Sequence, residues 1–213
     1  MSNIKLVHSG GNSVSLTTPT SNPGSNVTFK LPAADGSANE VLKTDGSGNL
    51  SFVAQPTGGL SNVVQFRTTQ HQQQDNGDQY EVLIHWEKTD NTDAGQIGSF
   101  SNPSTGVFTF PSTGIWRIDY NVLAYNTSGS SRYWKNLIMT TTNNSSYSIA
   151  TNAANVNHPG EYGTASSCYI FDVTNVSTHK VRFDVFGQDG NIYYRGNTNE
   201  NQTYVTFMRL GDT

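Results

Sequence analysis

In IWRIDYNVLAY, residues 115–125, large apolar side chains recur at every second position. Trp116, Ile118, Tyr120 and Val122 share one face of an extended chain, and Arg117 and Asp119 take the other. A period of two belongs to a pleated strand with one side buried. The same pattern returns along the chain, and Gly, Pro, Asn or Asp interrupts nearly every apolar run within a dozen residues. No segment carries a convincing helical period. The sequence therefore predicts an all-β protein, a sandwich or barrel of strands joined by turns.

Two textures divide it. Residues 1–60 carry short candidate strands (SVSL, VTFKL, EVLKT, LSFV), with Phe29 and Phe52 as their only aromatics. Residues 61–213 carry longer and aromatic-rich ones: VVQFRT, YEVLIHW, GVFTF, IWRIDYNVLAY, RYWKNLIM, SCYIFDV, KVRFDVF, IYYR and TYVTFMRL. In YEVLIHW the alternation sets Val82, Ile84 and Trp86 on one face and His85 on the other. QPTGGLSN, residues 55–62, reads as the joint. TYVTFMRL is apolar on both faces, with Val205 and Phe207 on one and Tyr204, Met208 and Leu210 on the other. A sandwich strand of that kind needs cover from outside the chain.

Net charge is −4 and only 13% of residues are charged, which argues against an electrostatic grip on nucleic acid. Apolar residues make up 34%, a thin supply for one core, and a shared interface between chains is one remedy. No run of eighteen apolar residues and no N-terminal apolar core of a signal peptide is present, so neither membrane insertion nor cleaved export is expected. Cys168 is the single cysteine, which rules out an intrachain disulfide, and its place in SSCYIFDV predicts a buried, inert thiol.

The stretch Gly98–Val122, GSFSNPSTGVFTFPSTGIWRIDYNV, resembles the signature of the complement globular-head and tumour necrosis factor-like jelly rolls. Phe100, Gly106, Phe108, Pro111, Gly114 and Trp116 occupy the signature places, and the resemblance extends over residues 63–210. It implies a jelly-roll sandwich assembled as a homotrimer, with the final strands at the three-fold axis. Core or trimer-interface roles then fall to Phe108, Trp116, Tyr120, Tyr204, Phe207, Met208 and Leu210. A second resemblance covers Leu6–Val53. FKLPAADGSANEVLKTDGSGNL, residues 29–50, is similar to segments of structural and fibre proteins of tailed bacteriophages, marine ones especially. It implies a virion protein whose first 60 residues form a small β stem gripping another capsid or tail protein.

The repeated DGSxN at Asp35 and Asp45 invites a calcium reading. From Asp35, however, Glu40 falls where an EF-hand loop needs Gly, and the nonapeptide calcium repeat is absent. Asp or Asn beside Gly between apolar runs predicts turns. His8, His71, His85, His158 and His179 make no metal-ligand spacing, and no nucleophile elbow is present. No metal, cofactor or catalytic activity is expected. Tyr133, Trp134, Tyr193, Tyr194 and Arg195 lie beside polar loop sequence and are the candidate ligand-binding residues. Aromatic faces flanked by Asn and Arg suit stacking on host-surface sugars, with inward strand packing as the competing role for each.

The expectation is a non-enzymatic trimeric virion surface protein, either a short head fibre, a capsid decoration or a tail-appendage tip. The alternative is a dedicated receptor-binding tail fibre that recognises host glycans.

Overall fold

The computed structural model describes residues 4–55, 59–75, 77–103, 105–129 and 133–213. The chain divides into two compact units, Met1–Gly58 and Gly59–Thr213. Residues 56–58 of the segment read as the joint lie outside the described residues. Among those that are described there is no helix.

The first unit holds two hairpins. β1 (Ile4–Val7) pairs with β2 (Ser13–Leu16), and β3 (Glu40–Thr44) pairs with β4 (Leu50–Ala54). The turn between β3 and β4 is built on Asp45. Its Oδ1 accepts from the Ser47 and Asn49 amides at 2.8 and 3.1 Å, while Gly46 and Gly48 take positive φ. These bonds hold the Asp45 carboxyl below its ordinary range, the Asn49 side chain contributing most. The aspartate of this repeat is thus a turn-former. VTFKL is not the strand its alternation predicts. Of it, Lys30 alone bridges, to Asn49.

The second unit is a sandwich. One sheet runs β6 (Gln72–Gln73), β15 (Ile192–Tyr194), β10 (Gly114–Asn126), β16 (Tyr204–Gly211), β5 (Asn62–Thr68) and β8 (Trp86–Lys88), with β13 (Tyr162–Val173) on the free side of β10. The other runs β12 (Ser148–Asn155), β11 (Trp134–Thr141), β14 (Lys180–Gly187) and β7 (Gln79–Val82), with β9 (Val107–Thr109) also on β14. All these ladders are antiparallel.

YEVLIHW is two strands. β7 belongs to one sheet and β8 to the other, and the chain crosses between them through His85 at φ 64°. The break overturns the single-face expectation for Val82, Ile84 and Trp86. Leu83 and Trp86 enter the core instead, and Ile84 and His85 are exposed. A non-glycine residue in the left-handed region leaves no compositional trace.

The core is aromatic. Phe66, Trp86, Phe100, Phe108, Phe110, Trp116, Tyr120, Phe171, Phe183 and Phe207 are buried together between the sheets. Gly106, at φ 77°, lets the chain pass under β7, since a Cβ there would stand 2.7 Å from the Leu83 carbonyl oxygen. That approach sets Phe108 at the centre of the cluster.

Candidate functional site

The seven-stranded sheet turns its other face outward, and register fixes what that face displays. One row across β13, β10, β16 and β5 reads Ile170, Arg117, Met208 and Val63. The next reads Cys168, Asp119, Thr206 and Gln65, and the third Ser166, Asn121, Tyr204 and Arg67. The polar groups of this face largely satisfy one another. Arg117 pairs with Asp119 at 2.9 Å, Gln65 Nε2 donates to Thr206 at 2.8 Å, and Ser166 Oγ donates to Asn121 at 2.6 Å. Arg67 is buried under the loop after β8, donating to Glu87 at 2.8 Å, Asp90 at 2.5 Å and Asn91.

The apolar members have no such partners. Ile170 is 49% exposed and Leu210 48%, and Tyr204 and Met208 are half-buried. A shallow depression of about 260 Å³ opens beside Tyr204, walled by Asp119, Asn121, Ser166 and Cys168. Cys168 is exposed here, which corrects the expectation of a buried thiol. Its strand presents alternate residues outward, and the phase that buries Phe171 and Val173 turns Cys168 to the surface. Partial burial and the neighbouring Asp119 carboxylate push its thiol pKa up, so it is no activated nucleophile.

Core and interface residues named from the sequence thus divide by face. Phe108, Trp116, Tyr120 and Phe207 are interior, Tyr204 and Met208 lie on the outward face of β16, and Leu210 is exposed where the β10–β16 register shifts.

The five candidate ligand residues do not converge. Trp134 and Tyr194 are core residues, packed edge to face with ring centres 6.1 Å apart. Trp134 Nε1 donates to Asn157 at 2.9 Å, and the Tyr194 hydroxyl donates to Gln74 at 2.7 Å. Neither ring has a free face for a ligand, and both assignments are corrected to structural roles. Tyr193 pairs with Tyr125 across the β10–β15 ladder, and Arg195 lies 5.8 Å from the ring of Tyr162. Both belong to the outward face of the first sheet.

Tyr133 belongs to the opposite side of the molecule. It stacks on Phe186 at 5.7 Å, and Tyr80, 55% exposed, meets the same Phe186 at 5.1 Å. Lys135 Nζ lies 5.0 Å from the Tyr133 ring. Sequence reasoning passed over Tyr80, Lys135 and Phe186. Their cross-strand registers, Lys135 with Phe186 and Phe186 with Tyr80, are the signal that joins them, and that signal needs the pairing of three separate strands.

On this same face Asp184 is buried, with one carboxylate oxygen 3.0 Å from Arg182 and the other without a hydrogen bond among the described residues. Burial raises its pKa from 3.8 to about 6, against the opposing pull of Arg182. Between those two values the folded chain binds more protons than the unfolded one. The stabilisation is complete below pH 3.8 and is lost as the pH rises to about 6. The loss amounts to about 2–3 kcal/mol, at roughly 1.4 kcal/mol per unit. Asp184→Asn is expected to flatten this slope. Urea midpoints measured from pH 4 to pH 7 on both proteins check it, and equal slopes would refute the assignment.

No protein-family model matches the chain, and no curated protein matches it. Solved structures do share its fold. The tumour necrosis factor Eiger of S. frugiperda superposes with a TM-score of 0.53 at 13% identity, over 73% of this chain and 96% of that one. Murine APRIL superposes with a TM-score of 0.50 at 10% identity, over 70% of this chain and 98% of that one. At such identities the likeness establishes the fold, a jelly-roll sandwich of the tumour necrosis factor type.

Proposed function

We propose that this chain is a homotrimeric, non-enzymatic surface protein of a bacteriophage particle, with residues 1–60 as the mount and the jelly roll as the exposed knob. The observation that carries the trimer is the outward face of β13, β10 and β16. Its ion pair and hydrogen bonds are closed within the face, and Ile170 and Leu210 stand half exposed beside the half-buried Met208 and Tyr204. Apolar groups set in a self-satisfied polar frame are what a subunit interface presents before assembly. Closed cyclic symmetry then covers the same strand in every copy. The particle assignment rests on the resemblance of residues 29–50 to phage fibre and structural proteins.

Sedimentation equilibrium is expected to give three times 23.2 kDa. Leu210→Asp with Ile170→Asp is expected to give the monomer mass with an unchanged far-UV spectrum, because both side chains lie outside the core. A wild-type monomer at micromolar concentration would sink the trimer. Antibody labelling of intact particles tests the location, and absence from the particle sinks that part.

A second reading, a receptor-binding tip for host glycans, is favoured by one feature. Tyr80, Tyr133 and Lys135 present adjoining aromatic and cationic groups on the outer sheet, a surface suited to stacking on sugar rings. Saturable binding of the protein to host cells, lost in Tyr80→Ala and Tyr133→Ala, is its expected result. Binding indifferent to both substitutions would dismiss it.

A further inference from the structure

The first unit has secondary structure and no interior. Among residues 4–55 none is buried. The strand register nevertheless builds an apolar surface with care. Ile4 faces Leu16 and Leu6 faces Val14 across the β1–β2 ladder, so four branched side chains occupy one face of the hairpin. Lys5 and Ser15 take the other. The four are between 64% and 73% exposed. Val27, Phe29 and Leu31, outside any strand, are between 61% and 77% exposed.

A two-stranded hairpin in water is marginal by itself, and ordering its backbone is opposed by entropy. Period-two alternation specifies a register only where one face is covered. The cover must come from outside the unit's own strands, and its chemistry can be read from the unit. Residues 4–55 carry three Lys against two Asp and one Glu, a balance of zero, and Lys5 takes the face opposite the four hairpin side chains. Such a surface offers no electrostatic selectivity for a foreign partner and no repulsion against its own copy. Val7 lies on the other face with Lys5, and the seven apolar side chains named expose on the order of 800 Å² per copy, about what each partner contributes to a stable interface. Covalent continuity supplies the rest, since a trimeric knob holds three first units at millimolar effective concentration.

We infer that the hydrophobic core of residues 4–55 forms between copies of this chain, the apolar faces of the β1–β2 hairpins packing against one another. The inference rests on the homotrimer reading above and extends it to a region whose single copy has nothing to fold around.

Cysteine cross-linking in the full-length chain tests it, with Cys168→Ser in every variant to remove the native thiol. Leu6→Cys lies on the apolar face, and Lys5→Cys lies on the polar face one residue away. On mild oxidation Leu6→Cys is expected to give covalent dimers at least tenfold faster than Lys5→Cys. Equal rates, or no cross-link through Leu6→Cys, overturn the inference. Sedimentation of the same samples before oxidation separates the two readings. Trimers without the Leu6→Cys cross-link sink the shared core alone. Leu6→Cys cross-links in a full-length chain that sediments as a dimer before oxidation sink the knob trimer and leave the shared core standing. Monomers without cross-links sink both.

Discussion

Phe108→Ala is expected to remove about 3–5 kcal/mol of stability, the range for emptying a fully buried phenyl site. The position makes the upper half of that range the expectation. The ring has no solvent exposure, and its centre lies 5.1 Å from Phe66, 5.2 Å from Phe207, 5.3 Å from Phe183 and 5.6 Å from Trp86. Phe183 comes from one sheet and the other three from its opposite, so the void would open at the seam between layers. Side chains already locked ring against ring on all sides have little freedom to collapse into it. β9, which carries Phe108, is three residues long and among the described residues pairs with β14 alone. Phe108 is thus the main attachment of that strand as well as its contribution to the core. At about 2–4 °C per kcal/mol for a domain of this size, the melting temperature should fall by roughly 10–15 °C. Phe108→Leu, which keeps most of the volume, should lose less than half as much. Urea unfolding followed by tryptophan fluorescence reads both. A loss below about 1.5 kcal/mol for the alanine variant would mean that the surrounding rings close the gap and that the site is not locked ring against ring.

The strands that announced themselves did so through core rings at period two. β10 follows the alternation residue by residue and β16 follows it as far as Met208, and the Gly106–Gly114 spacing marks the turns that frame Phe108. Three things escaped. β12 reads SIATNAAN, and an edge strand with one face in water needs few apolar residues, so its alternation is nearly silent. The sheet crossing at His85 depends on one positive φ that no glycine advertises. The inward phase of RYWKNLIM was the third. Tyr133 and Trp134 are both aromatic, and the next inward residue after Trp134 is Asn136, whose polarity masks the core face. Had Asn136 been read as buried, Trp134 would have been read as core. The outward patch was also hidden, because Tyr80, Tyr133 and Phe186 lie on three strands and only pairing unites them. Exposure of the first unit's alternating residues, by contrast, reverses what the pattern alone would suggest, and chain-to-chain burial reconciles the two.

Asn136 carries the other large expectation, a loss of about 3–5 kcal/mol on conversion to Ala. Its amide is fully buried and fully used. Nδ2 donates to the Tyr120 carbonyl at 3.2 Å and the Ala165 carbonyl at 3.0 Å, both in the opposite sheet, and Oδ1 accepts from the Ala153 amide at 2.9 Å. One side chain on β11 therefore ties β10 and β13 of one layer to β12 of the other. Removing it takes one hydrogen bond from each of three backbone groups where water does not reach, at about 0.5–1.5 kcal/mol each and more for any group left without a partner. The comparison with Phe108 gives the prediction its discriminating power. A site that fails through lost volume is rescued by Leu, whereas one that fails through orphaned donors and acceptors is not. Asn136→Leu should then be as damaging as Asn136→Ala. Asn136→Asp should be worse near neutral pH, because a carboxylate offers no hydrogen to either carbonyl and must be buried charged or protonated. It should recover part of the loss toward pH 4, where the neutral acid can donate to one of them. Equilibrium unfolding of the three variants at pH 4 and pH 7 measures the set. If Asn136→Leu matched the wild type, the amide would be a packing element, and the two sheets would be held together by their rings alone.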